Sequence, residues 1–200
     1  YKIEELLNKK TIMELTSLSN SEKKFFCDFL LTYIYKHEKM NQEGVNEFKT
    51  AIIVDEAHNI FLKDRPRFIQ ETVTDMIYRE MREYGISLIC LDQHISKLSD
   101  TVTGNSACNI TFNQMLPYDI ELASRLMQLI DKKNYFSMLP VGTAIVKLAE
   151  RYTRPFLIRV KLYEFNGNVS DEDIKRKMEG LRDNKIDFKE KFDKVNKIFK

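Results

Sequence analysis

Ala51-Ile52-Ile53-Val54-Asp55-Glu56-Ala57-His58-Asn59 is the stretch that decides how this chain folds. An apolar, mostly β-branched run that ends abruptly in charge reads as a strand buried on both faces of a parallel sheet. Asp55 and Glu56 then stand at the carboxyl edge of that sheet, where open α/β folds hold their ligands. The pattern returns at Ile86-Ser87-Leu88-Ile89-Cys90-Leu91, which runs into Asp92-Gln93-His94. Between the two runs, Phe68 to Tyr84 repeats apolar residues at Ile69, Val73, Met76, Ile77 and Met81, the spacing of an amphipathic helix. Gly85 is suited to end it. Strand, helix, strand predicts a parallel pair with Asp55 and Gln93 side by side at one edge.

Working outward, Thr11 to Leu15 reads as a further strand, and Ser19 with Glu22 has the spacing of a capping box. The helix it opens carries Phe25, Phe26, Phe29, Leu30, Tyr33 and Ile34, and Lys36 to Lys49 reads as a solvated connection. Ile95 to Gly104 suits a short helix or loop, Ala107 to Phe112 a strand, Pro117 to Ile130 a helix and Tyr135 to Gly142 a turn region. Thr143–Leu148 and Phe156–Leu162 are two late strands, with a hairpin as one arrangement for them. The expectation is an α/β fold with a mainly parallel sheet, built from strands at Thr11, Ala51, Ile86 and Ala107 and flanked by helices. It divides into residues 1–165 and a helical extension at 166–200. In that extension Phe188, Phe192, Val195 and Phe199 lie at helical spacing opposite a charged face.

Composition narrows the class. Two hundred residues with 43% hydrophobic and 31% charged side chains can bury a core, which excludes a disordered chain. A net charge of +2 is too small to indicate nucleic acid through bulk electrostatics. No apolar run has the length of a membrane span, and the start lacks a signal-peptide pattern. Cys27, Cys90 and Cys108 lack paired spacing and sit among apolar residues. They read as small buried hydrophobes of a reducing, cytoplasmic compartment.

The edge carboxylates suggest chemistry. An apolar strand ending in Asp-Glu has the Walker B arrangement of nucleotide triphosphatases. Asp55 would hold Mg2+ through water and Glu56 would deprotonate the attacking water. The alternative is a strand that ends in a solvated acidic turn. None of the six glycines opens the G-x-x-x-x-G-K-[ST] loop that cradles phosphates. That loop is therefore expected upstream of Tyr1, and these 200 residues alone are expected to bind and turn over ATP poorly. Gln93 offers a neutral amide able to bond both a γ-phosphate and a water. Arg82 falls at the far end of the second strand, where it suits either a helix-end cation or a residue offered to a neighbouring subunit.

Taken in order, these pieces resemble the HerA/FtsK superfamily of hexameric DNA-pumping ATPases, and its HerA-type branch in particular. The matching residues are Ile53-Val54-Asp55-Glu56-Ala57-His58-Asn59-Ile60, Glu80-Met81-Arg82-Glu83-Tyr84-Gly85 and Leu88-Ile89-Cys90-Leu91-Asp92-Gln93. Leu139-Pro140-Val141-Gly142-Thr143-Ala144-Ile145-Val146 and Arg154-Pro155 match the late strands. The resemblance implies a RecA-like P-loop NTPase domain whose P-loop strand is not in this chain. It implies ATP and Mg2+ as cofactors, Asp55 as the metal-side carboxylate, Glu56 as catalytic base, Gln93 as polar sensor and Arg82 as an arginine finger acting in trans. It further implies a homo-hexamer acting on double-stranded DNA as a translocase or helicase, with a nuclease partner. Loops at Lys97–Asn105 or Arg151–Arg154 are the candidate DNA contacts. A DEAH-box helicase fits less well, because Leu91-Asp92-Gln93 stands where that class has Ser-Ala-Thr. Two other readings are an inactive ATPase-derived interaction module and a related conjugation or packaging ATPase.

Overall fold

A short helix α1 (Ile3–Leu7) leads to the long helix α2 (Asn20–Met40), whose start is fixed locally. Ser19 Oγ accepts the Glu22 backbone N–H at 3.4 Å, and Glu22 Oε2 accepts the Ser19 N–H at 2.8 Å. Two otherwise unpaired donors are thereby satisfied. The structure, a computed structural model, describes residues 3–41, 47–63, 72–150, 152–164 and 169–182. The same device opens α3 (Val73–Glu80), where Thr72 and Asp75 cap each other. The part of the expected helix before Thr72 largely lies outside the described residues.

Strand β1 (Thr50–Val54) pairs in parallel with β2 (Ile86–Cys90), in a register that sets Val54 beside Cys90. Ile52, Val54, Leu88 and Cys90 pack against a core built from α2, α3 and the residues that follow each strand. Leu31, Ile34, Tyr35, Ile77 and Met81 are its centre. The opposite face of the pair is open among the described residues: Ile53 is 64% and Ile89 41% exposed. The expectation of a strand buried on both faces is thus corrected to one covered face.

Past β2 come a 3-10 turn (Ile95–Lys97), α4 (Asp100–Asn105), β3 (Cys108–Thr111), α5 (Pro117–Leu126) and a 3-10 stretch (Ile130–Ser137). Strands β4 (Thr143–Leu148) and β5 (Phe156–Arg159) form an antiparallel hairpin, and β3 lies antiparallel on the other side of β4. Among the described residues parallel pairing is therefore confined to β1 and β2, and β3 belongs to a separate three-stranded sheet. A second apolar cluster of Ala123, Met127, Phe136, Leu139 and Ile145 serves that sheet. Residues 11–15 are irregular rather than a strand, and α2 extends to Met40, into the first part of the segment expected to be a polar connection from Lys36 to Lys49.

The chain divides after Lys161 into a first unit and a second that starts at Leu162. The second unit contains α6 (Asp171–Arg182), whose start Ser170 caps by accepting the Asp173 N–H at 3.2 Å. Phe188, Phe192, Val195 and Phe199 lie outside the described residues.

Candidate functional site

The backbone ladder does not stop where β1 stops. Leu91 N donates to Val54 O at 2.9 Å and Ala57 N donates to Leu91 O at 3.1 Å. Asp55 and Glu56 are the two residues spanned by this clamp, so their side chains are delivered beyond the sheet edge. Ala57 is fully buried and anchors the turn. Asn59 donates its backbone N–H to Glu56 O at 2.9 Å and its side-chain amide to the same oxygen at 3.1 Å. The result holds Glu56 at φ 50°, ψ 50°. A left-handed backbone costs a residue with a Cβ about 1–2 kcal/mol. Such conformations persist where the surroundings over-determine them, often at functional positions.

Asp55 is exposed, and its Oδ1 accepts the Glu56 N–H at 3.0 Å. Gln93, carried by the turn after β2, donates its Nε2–H to Glu56 Oε1 at 2.8 Å. Three of the predicted site residues thus share one edge. Arg82 does not join them. It sits in a 3-10 turn (Met81–Tyr84) before β2, at the opposite edge, and five strand residues span about 16 Å. Its side chain is 76% exposed and meets the equally exposed Glu150 at 4.0 Å. Pairs of that kind contribute little, about 0–1 kcal/mol. Arg82 also lines a cleft with Tyr78, Ser87 and Asn105.

Behind the edge lies a polar layer that the sequence reading did not assign. Asp92, whose side chain is 2% exposed, accepts the His58 N–H at 2.7 Å and faces His58 Nδ1 at 2.9 Å through Oδ2. Its Oδ1 accepts the His94 N–H at 2.8 Å. His58 Nδ1 also lies 3.5 Å from Glu56 Oε2. The ring of His94 bonds Asp119 at 3.1 Å, and Ser96 N–H donates to the same carboxylate at 2.9 Å. Burial pushes the Asp119 carboxyl up, but the Ser96 N–H and the His94 ring more than offset this and hold it below the ordinary aspartate value. The signal for Asp92 was present in the sequence as a second carboxylate at a second strand end. Nothing in the spacing showed that His58 would turn toward it.

A parallel strand pair, helices on its covered face and carboxylates at its carboxyl edge make an α/β fold whose site lies at the strand ends. Solved structures of the genome-packaging NTPase B204 of Sulfolobus turreted icosahedral virus 2 are similar to this chain. The complex with ATP-gammaS matches with a TM-score of 0.59 and 17% identity, covering 81% of this chain and 72% of that one. The AMPPCP complex matches with a TM-score of 0.55 and 18% identity, covering 70% and 63%. The sulfate complex gives 0.56 and 18%, covering 70% and 65%. In these last two matches the chain spans less than two thirds of the viral protein. No protein-family model and no curated protein matches the sequence. At this identity the likeness shows the fold, which this chain shares with the viral NTPase.

Proposed function

We propose that this chain is the carboxylate-bearing part of a ring-forming, ATP-driven motor that moves double-stranded DNA, of the HerA/FtsK kind. The observation that carries the reading is the Gln93 amide on Glu56, 2.8 Å away, at the carboxyl edge beside Asp55. Bound ATP and Mg2+ would supply the phosphoanhydride and the charge that polarises it. The exposed Asp55 carboxylate is a hard oxygen ligand of the type Mg2+ takes, directly or through water. Glu56 takes the proton of the attacking water, and Gln93 holds Glu56 in place and positions that water. Arg82, too far from its own carboxylates, serves the next subunit of a homo-hexamer. Genome packaging, the role named for the viral ATPases, is favoured over a HerA-type helicase with a nuclease partner because the fold likeness is to them.

The test is ATP binding and hydrolysis by the product of the complete reading frame, with and without linear duplex DNA. Glu56→Gln keeps the shape and the Gln93 contact but cannot accept a proton. It should leave ATP binding intact and lower turnover by about a hundredfold or more. Turnover unchanged by Glu56→Gln would overturn the assignment. Failure to bind ATP at all would favour the interaction module.

A further inference from the structure

His58 stands between two carboxylates that come from different strand ends. Its Nδ1 is 2.9 Å from Asp92 Oδ2 and 3.5 Å from Glu56 Oε2, and the three atoms lie within 4.8 Å of one another. Tetrahedral Zn2+ with ligands at about 2.0–2.1 Å sets its ligand atoms about 3.3–3.5 Å apart, so the His58–Glu56 pair already has the spacing, the His58–Asp92 pair must open by a few tenths of an ångström, and the half-exposed Glu56 side chain supplies the remaining adjustment toward Asp92. The remaining oxygens are held from outside the cluster. Gln93 Nε2–H occupies Glu56 Oε1, and the His94 N–H occupies Asp92 Oδ1. Each carboxylate turns its other oxygen toward the imidazole, and Asp92 Oδ2 also accepts the His58 backbone N–H at 2.7 Å, so donors outside the ring orient both ligands. Asp92 is buried and fixed, whereas Glu56 is 44% exposed and leaves a path from solvent.

We propose that Glu56, His58 and Asp92 form a site for a transition-metal dication of the Zn2+ class, with a water as fourth ligand. One imidazole and two carboxylates suit Zn2+ or Co2+, while Mg2+ demands near-octahedral oxygen ligation and is better served at Asp55. His58 ligates as the neutral ring, its proton carried on Nε2. The site shares Glu56 with the ATPase reading, and Zn2+ bound there would block Glu56 as the base; its test uses no nucleotide, so the two readings fail separately.

The test is calorimetric titration of this chain with Zn2+ in excess Mg2+ and no nucleotide, with Co2+ absorption as the report on geometry. One Zn2+ per chain should bind, and the Co2+ form should show tetrahedral bands. His58→Gln should weaken binding by about a hundredfold or more and abolish those bands. His94→Gln should do neither, since its ring serves Asp119. Glu56→Gln alters an exposed side chain without threatening the fold, and it should also weaken binding, which keeps the test decisive if His58→Gln misfolds. A Zn2+ dissociation constant weaker than about 1 mM would overturn the site. So would displacement by Mg2+, or binding that survives both His58→Gln and Glu56→Gln.

Discussion

Cys108 is exposed, while Cys27 and Cys90 pack against the first core. Burial, reinforced by the nearby Asp92 carboxylate, pushes the Cys90 thiol up to about 12. Burial and then Asp28 also raise Cys27. Since the thiolate is the reactive species, iodoacetamide at pH 8 should label Cys108 well before the other two, as read by peptide mass spectrometry. Labelling of Cys90 at an equal rate would mean that the β2 face opens readily. From their apolar neighbours alone, all three thiols are expected to be buried. Cys108 differs because β3 is covered on one side only, and its apolar neighbours Ala107 and Ile110 do not reveal which side. Asp55, Glu56 and Gln93 were legible because each ends an apolar strand. Arg82's position was legible too, since it precedes a strand rather than following one. His58 and Asp92 were not, because their pairing is a long-range contact between two strand ends.

Among the elements, the turn before β2 is the most sharply constrained. Gly85 has φ 77°, and a Cβ there would collide with the Glu47 carbonyl oxygen. Its own carbonyl accepts Lys49 N–H at 2.8 Å, tying the amino end of β1 to that of β2. Gly85→Ala should cost about 1–2 kcal/mol from the left-handed backbone alone, before the collision is counted. Thermal unfolding should fall by roughly 2–4 °C per kcal/mol, and an unchanged melting temperature would contradict the geometry. Ser19 with Glu22 made the start of α2 legible, whereas α3 opens at Thr72 with Asp75 instead of at the expected Phe68. Thr11–Leu15 misled because a short apolar run makes a strand only when a partner strand lies alongside, and here none of the described strands pairs with it. Late strands β4 and β5 followed the hairpin arrangement, but the antiparallel pairing of β3 with β4 depends on a crossover that local pattern does not encode.

At the scale of the whole molecule, Arg82 and Glu56 occupy opposite edges of one sheet, so a shared site requires two copies. In the ring proposed above, Arg82→Ala should retain ATP binding and lose turnover by about a thousandfold or more. Mixed with Glu56→Gln subunits, it should regain measurable hydrolysis, because some interfaces then pair an intact Glu56 with an intact Arg82. Verified subunit exchange without recovery at any ratio would count against action in trans. No helix of the described residues is long and apolar enough to cross a membrane.

The open face of β1 and β2 has a practical consequence for this chain in a test tube. Ile53 and Ile89 stand on neighbouring strands with no cover among the described residues, and only one edge of each strand is paired there. Apolar faces joined to unsatisfied strand edges are templates for sticking one molecule to the next. Colloidal behaviour, rather than thermal unfolding, should then set the highest workable concentration of the isolated 200-residue chain. Ile53→Lys places a charge on that face without touching the core, so light scattering at high concentration should fall while the melting temperature holds within about 2 °C. Scattering that stays the same would shift the blame for self-association to another surface, such as the exposed aromatics Phe25 and Phe29 of α2.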